Sequence, residues 1–254
     1  MRGNKKLLKL VVLRHGESTW NLENRFAGWS NVALTEKGKR EAVEAGNLLK
    51  SEGYTFDRMY TSLLQRSIDT CYEISKILGC QHVPVERHWR LNERHYGGLT
   101  GLNKVETVQK HGEAQVKLWR RSFDVPPPPM PEGDPREAKN DPMYKGIPSA
   151  LLPKSESLKM TAERTLPFFF DRIWPEVYSG RDVLVVAHGN SLRGIHKFLT
   201  GMDEKSITEF NFPTAVPMLY ELDEDLKLQD ARFLGNQEEI KKKMDAVANQ
   251  TKAK

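Results

Sequence analysis

The chain has 254 residues, enough to bury one sizeable core, of which 38% are hydrophobic and 29% charged. Mean hydropathy is −0.61, and no apolar run reaches the ~18 to 20 residues of a spanning helix, which excludes a membrane-spanning class, while the apolar share excludes a disordered chain. The net charge of +5 suits an anionic ligand, but Lys241, Lys242, Lys243, Lys252 and Lys254 equal that whole excess and read as a solvated tail, which gives no reason to expect nucleic acid.

Behind the basic N-terminus, the apolar stretch at 10–13 is too short for a signal peptide. Cys71 and Cys80 build neither a disulfide framework nor a zinc site. These features predict a cytoplasmic protein with reduced thiols, without membrane or nucleic-acid partners.

In chain order, L-K-L-V-V-L at 8–13 predicts a buried strand. Residues 21–34 are irregular. Thr35 is placed to cap a helix to about Lys50, with Ala42, Ala45 and Leu49 on one face and Gly53 beyond its end. A strand is expected over 56–60, then a helix capped by Ser62, with Leu64, Ile68, Cys71 and Leu78 at helical spacing and Gly79 as its stop. Val83-Pro84-Val85 reads as a short edge strand. Residues 103–121 are helical in pattern, broken at Gly112. Nine of the 14 prolines fall in 126–153, and this segment reads as a long functional loop inside one domain. A helix over 155–177 should kink at Pro167. Then come a buried strand at 183–187, a helix over 191–199, strands at 218–222 and 226–233, and a C-terminal helix from 236 that leads into the lysine-rich tail at 254. The alternation predicts a single three-layer α/β domain with a mostly parallel central sheet and helices on both faces.

Two strands end alike: L-V-V-L-R-H-G-E-S at 10–18 and V-L-V-V-A-H-G-N-S at 183–191. In open parallel sheets ligands bind at the carboxyl ends of strands. If these strands are neighbours, His15 and His188 face one crevice. A neutral imidazole is a nucleophile toward a phosphoryl group, whose charged oxygens need cations nearby. Arg14 adjoins His15, Gly16 admits close backbone approach, and Asn190 and Arg193 follow His188. Arg66, Lys104, Arg120 and Arg121 fall where α/β turns reach the same rim. Glu93 is a candidate acid and base if an anionic ligand and burial raise its pKa. No metal-ligand spacing, Walker loop or G-x-G-x-x-G is present.

These residues and nine longer matches resemble the bisphosphoglycerate-dependent phosphoglycerate mutases of the histidine phosphatase superfamily. The matches are L-R-H-G-E-S-T-W-N at 13–21, G-W at 28–29, T-S-L-L-Q-R-S at 61–67 and W-R-L-N-E-R-H-Y-G at 89–97. They continue with G-L-N-K at 101–104, H-G-E-A-Q-V-K-L-W-R-R-S-F-D-V-P-P-P at 111–128, S-E-S-L-K at 155–159, A-H-G-N-S-L-R-G at 187–194 and P-M-L-Y-E-L-D at 217–223.

The resemblance implies interconversion of 3-phosphoglycerate and 2-phosphoglycerate in glycolysis and gluconeogenesis. His15 would be the phosphorylated nucleophile, steadied by His188, Arg14, Arg66 and the Gly189-Asn190 turn. Glu93 would move the hydroxyl proton. Ser18, Asn21, Ala27, Gly28, Arg94, Tyr96, Lys104, Arg120 and Arg121 would hold the rest of the substrate. The cofactor would be priming 2,3-bisphosphoglycerate, without a metal, with the proline loop and tail as covers. Minor bisphosphoglycerate synthase or phosphatase activity would share the same phosphohistidine. The assembly would be a homodimer or homotetramer, with the edge strand near Val83 as a contact. Ala27, Asn31 and Ala215 depart from the family pattern, and Ala215 is strained if its backbone has positive φ.

Overall fold

The computed structural model describes residues 7–248. The Lys252 and Lys254 end of the predicted tail lies outside them. Six strands form one sheet in the order β3-β2-β4-β1-β5-β6. They are β1 (Leu8–Arg14), β2 (Arg58–Thr61), β3 (Val85–Arg87), β4 (Val183–Ala187), β5 (Pro217–Leu222) and β6 (Leu228–Phe233). The pairs β1–β4, β4–β2 and β2–β3 are parallel, whereas β5 runs antiparallel to β1 and β6.

Alternation along the central strands builds two cores, one on each face. Leu10, Val12, Val183 and Val185 join Phe168, Phe169, Ile173, Leu192 and Ile195 on one side. Val11, Leu13, Leu184 and Val186 join Ala45, Leu49, Cys71 and Ile74 on the other. A strand covered on both faces must be apolar at every position, which is why β1 and β4 read as unbroken runs.

Ten α-helices are described: α1 (Thr19–Leu22), α2 (Glu36–Ser51), α3 (Gln65–Leu78), α4 (Lys104–His111), α5 (Glu113–Arg121), α6 (Leu158–Phe168), α7 (Trp174–Tyr178), α8 (Gly189–Thr200), α9 (Glu204–Glu209) and α10 (Gln237–Ala248). Thr35 Oγ1 caps α2 by accepting from Gly38 N at 3.0 Å, and Gly79 closes α3 at φ 68°. Asn103 caps α4 through Val105 N and Glu106 N.

Several expectations need correction. Ser62 is not the cap of α3; that position is Leu64, without a side-chain bond, because Ser62 Oγ is engaged by His188, as described below. The helix expected over 155–177 starts at Leu158 under a Ser157 cap, runs through Pro167, and changes into a π-helical turn at Phe169–Ile173 before α7. The last strand starts at Leu228, because Leu226 has φ 60° in the tight turn after β5. The helix after β4 starts at Gly189, since His188 is already its extended N-cap. Ala215 does adopt positive φ, 51°.

The proline segment contributes Ala138 and Tyr144 to an aromatic cluster with Trp29 and Trp89. It is tied to residues 92–98 by Asn92 Nδ2 donating to Tyr144 Oη at 3.0 Å and Gly98 N donating to Pro128 O at 2.8 Å.

Candidate active site

The register Arg14↔Ala187 between β1 and β4 aligns their carboxyl ends. His15 N donates to Ala187 O at 3.1 Å, and the two imidazoles stand with ring centroids 4.9 Å apart. Beside His15 lies a cleft that opens to solvent, with ≈ 710 Å³ of space between its walls and their mouth.

His15 is held in one tautomer. Its Nδ1 lies 2.7 Å from Gly16 O. A carbonyl only accepts, so Nδ1 carries the proton. Arg66 Nε donates to Nε2 at 3.2 Å, and a guanidinium only donates, so Nε2 keeps its lone pair. Burial, then Arg66 and Arg14, hold the His15 pKa well below the ordinary value. The ring is therefore neutral at pH 7, with the nucleophilic nitrogen toward the cations.

His188 is fully buried. Its Nε2 is 2.7 Å from Ser62 Oγ, which also meets Ser67 Oγ at 2.6 Å. Burial, followed by Arg66 and His15, pushes its pKa well down. Its Nδ1 and the Nε of Arg14 are buried polar atoms without a hydrogen bond. Arg14 Nη1 is anchored on Phe212 O at 3.0 Å. Orphaned buried N–H groups are costly and rare. Arg14 lines the cleft beside the nucleophile, where its unbonded Nε–H is a donor for a phosphoryl oxygen.

Arg66 is fixed by Gly28 O and Ser30 O, each at 2.8 Å. Its pKa is lowered to about 10, first by burial. Glu93 Oε1 accepts from Arg94 N at 2.8 Å, Asn190 N at 3.1 Å and Asn190 Nδ2 at 2.6 Å. Burial raises its pKa, but these bonds with Arg14 and Arg66 outweigh it, and the net shift is downward. Burial alone therefore does not raise it: Glu93 is a carboxylate, poised as a base. The N-terminus of α8 points Gly189 and Asn190 at the same place. A Cβ on Gly189 would lie 3.9 Å from both Arg14 Nε and Glu93 Oε2.

The structure brings most expected residues to the cleft wall: Asn21, Ala27, Gly28, Tyr96, Lys104, Arg120 and Arg121 join His15, Arg14, Arg66, Glu93, Gly189 and Asn190. His188 does not itself line the cleft, although its ring stands beside that of His15. Two further residues do not reach it. Ser18 is the N-cap of α1, bonded to Asn21. Arg94 lies against the Tyr96 ring, 4.6 Å from its centroid, and donates toward Arg120 O. Gly16 is required by packing rather than by a ligand, since a Cβ there would meet Gly38 O of α2 at 2.3 Å. The proline loop does not cover the cleft: none of its residues lines it, whereas Val247 of α10 does.

Sequence reasoning left Ser62, Arg25, Asn211 and Phe212 out of the site, and gave Arg193 no role. Arg193 is 7% exposed. Its Nη2 donates to Asn190 Oδ1 at 2.5 Å, which forces the amide nitrogen of Asn190 toward Glu93. Among the described residues, the cleft thus gathers seven cations, Arg14, Arg25, Arg66, Lys104, Arg120, Arg121 and Arg193, against the single carboxylate Glu93. Burial, then mutual repulsion, lowers Arg193 to about 9, Arg120 to about 10 and Lys104 well below its usual value. Such a cluster matches a polyanion of roughly −4 to −5, two phosphates plus a carboxylate.

The family model of the histidine phosphatase superfamily (branch 1) matches residues 10–139. A protein of Parabacteroides distasonis named 2,3-bisphosphoglycerate-dependent phosphoglycerate mutase is 54% identical over 96% of this chain and 99% of its own. One of the same name from Elusimicrobium minutum is 52% identical over 97% and 99%. Among solved structures, mycobacterial hydrolase 1 superposes with TM-score 0.67 at 21% identity, covering 90% of this chain and 97% of its own. A mycobacterial glucosyl-3-phosphoglycerate phosphatase gives 0.65 at 21% identity over the same shares. At that identity these two establish the fold alone. No helix among the described residues is long and apolar enough to cross a membrane. With its two paired histidines at the carboxyl ends of two central strands and its near full-length relatives, the chain belongs to the 2,3-bisphosphoglycerate-dependent phosphoglycerate mutases of the histidine phosphatase superfamily.

Proposed function

We propose that the protein interconverts 3-phosphoglycerate and 2-phosphoglycerate, with His15 Nε2 as the nucleophile. The observation that carries this reading is the tautomer lock on His15, set beside the unbonded buried donor Arg14 Nε and seven cleft cations. His15 Nε2 attacks phosphorus; the N–P bond forms as the bond to the departing oxygen breaks. Arg14, Arg66 and His188 hold the oxygens that carry the charge of the transition state. For return transfer, Glu93 takes the proton of the accepting hydroxyl as the N–P bond breaks, and it gives that proton back in the reverse direction. Lys104, Arg120 and Arg121 hold the far end of the substrate, where a bisphosphorylated molecule has its second phosphate or carboxylate. The cofactor, 2,3-bisphosphoglycerate, supplies the phosphoryl group that primes His15.

Synthase and phosphatase chemistry on the same histidine differs only in the acceptor. The convergence of Lys104, Arg120 and Arg121 on the cleft favours the mutase, because a phosphatase that releases its product to water needs no second anion grip. We place the enzyme in the cytoplasm, acting without metal, and as a homodimer or homotetramer through the open edge of β3.

The test is conversion of 3-phosphoglycerate to 2-phosphoglycerate in excess EDTA, with and without trace 2,3-bisphosphoglycerate. Conversion that survives EDTA and rises with the bisphosphate supports the proposal. Release of inorganic phosphate without isomerisation overturns it.

A further inference from the structure

Glu93 sits in irregular backbone between two short 3₁₀ turns, Trp89–Leu91 and Gly97–Leu99, with no strand or long helix to aim it. What fixes this backbone is a buried ion pair on the side away from the cleft. Arg164 of α6 meets Glu156 through Nε–Oε1 at 2.6 Å and Nη2–Oε2 at 2.9 Å, with the side chains 9% and 3% exposed. The rest of the guanidinium grips carbonyls: Nη1 donates to Arg90 O at 2.7 Å, and Nη2 to Asn92 O at 3.1 Å and Glu93 O at 2.8 Å. Glu156 Oε2 accepts from His95 N at 2.8 Å. Trp29 Nε1 donates to the same Glu93 carbonyl at 2.6 Å, and its ring lies under the guanidinium, 5.4 Å away.

A buried ion pair is poor evidence for stability, because desolvation offsets its Coulomb gain and an apolar pair would fill the space as well. An apolar pair would not offer N–H groups to three carbonyls in fixed directions. The planar fork of arginine does. Neither Arg164 nor Glu156 lines the cleft, so any effect on turnover must pass through the backbone they hold.

We propose that Arg164, held by Glu156, is a positioning residue for Glu93, and that with Trp29 it clamps the Glu93 carbonyl so that the carboxylate faces the cleft. This rests on the proton-transfer role given to Glu93 above. Releasing the clamp lets the peptide rotate, and a misplacement of ~1 Å at a reacting group costs up to about 100-fold in rate.

The experiment is a double-mutant cycle on mutase kcat and KM. Arg164→Lys keeps the charge opposite Glu156 and loses the fork. Trp29→Phe removes one N–H from the same carbonyl and leaves every charge in place, so it tests the clamp even where the lysine variant fails to fold. Each is expected to lower kcat about ten- to 100-fold with KM within about two-fold. In a Glu93→Gln background, each is expected to lower the remaining rate by less than about two-fold, because the group being aimed no longer moves a proton. Equal losses in both backgrounds, or no loss in either, overturn the clamp. A Glu93→Gln enzyme at the wild-type rate overturns the Glu93 role itself, and the single variant shows this separately.

Discussion

Arg66 Nε stands 3.2 Å from His15 Nε2 and donates to it, while two carbonyls, Gly28 O and Ser30 O, hold the other end of the guanidinium at 2.8 Å. The cation is thereby built in beside the nucleophile before any substrate arrives, so it needs no reorganisation as charge develops. Arg66→Lys keeps one charge but cannot serve two carbonyls and His15 together. It is expected to lower kcat by about 100-fold or more, as loss of a preorganised donor does, and steady-state kinetics with a thermal melt as control checks this.

Ser62 Oγ is the side-chain partner of His188 Nε2, at 2.7 Å. Ser62→Ala leaves that nitrogen buried without a partner and frees the ring to adopt either tautomer. A kcat loss of about ten-fold is expected, with a stability cost of about 1–3 kcal/mol, read from urea midpoints. An unchanged kcat would mean that His188 is oriented by packing alone.

Buried neutral histidines make the fold sensitive to acid. Burial leads the lowering of His15 and His188 well below their usual value, and of His95 and His196 to about 4. Below about pH 6.5 the unfolded chain binds protons that the folded chain does not, so stability is full above that pH and falls as pH drops toward 4. Each histidine contributes up to about 1.4 kcal/mol per pH unit in that window. Urea midpoints measured from pH 7.5 to 4.5 should begin to fall near pH 6.5, ahead of carboxylate titration. A flat profile down to pH 5 would contradict the burial of these rings.

Mutual repulsion among the cleft cations should be relieved by a polyanion. At about 100 times its dissociation constant a ligand adds about 2.7 kcal/mol, or about 5–10 °C in Tm for a chain of this size. At equal free concentration, 2,3-bisphosphoglycerate is expected to raise Tm more than either monophosphoglycerate, and high salt to shrink the difference. Equal shifts for all three would argue that the far cations do not engage a second phosphate.

The parts of this fold legible in the sequence were those that depend on near neighbours. β1 and β4 announced themselves because burial on both faces demands apolar residues throughout, and Thr35 and Gly79 marked helix ends through local capping chemistry. The site was legible where a motif sits at a strand end, as His15 and His188 do. What escaped depends on contacts between distant segments. Ser62 joins His188 only because β2 pairs with β4. Arg193 had no role legible in its spacing, because α9 carbonyls and Asn190 close around it only in the fold. The pKa of Glu93 turned on three hydrogen bonds with no signature in spacing. Short helices such as α1 and α9 carry too few turns for a period, and Pro167 gave no warning of the π turn behind it.

The central claim is that His15 Nε2 carries the phosphoryl group, and trapping the phosphoenzyme tests it most directly. The enzyme would be mixed with 2,3-bisphosphoglycerate labelled in its phosphates, quenched in base, digested and mapped. The account predicts acid-labile, base-stable label on His15, attached at Nε2, and none in His15→Ala, whose fold should be intact. Label on His188 or on a hydroxyl residue, or turnover without any protein-bound phosphate, would contradict it.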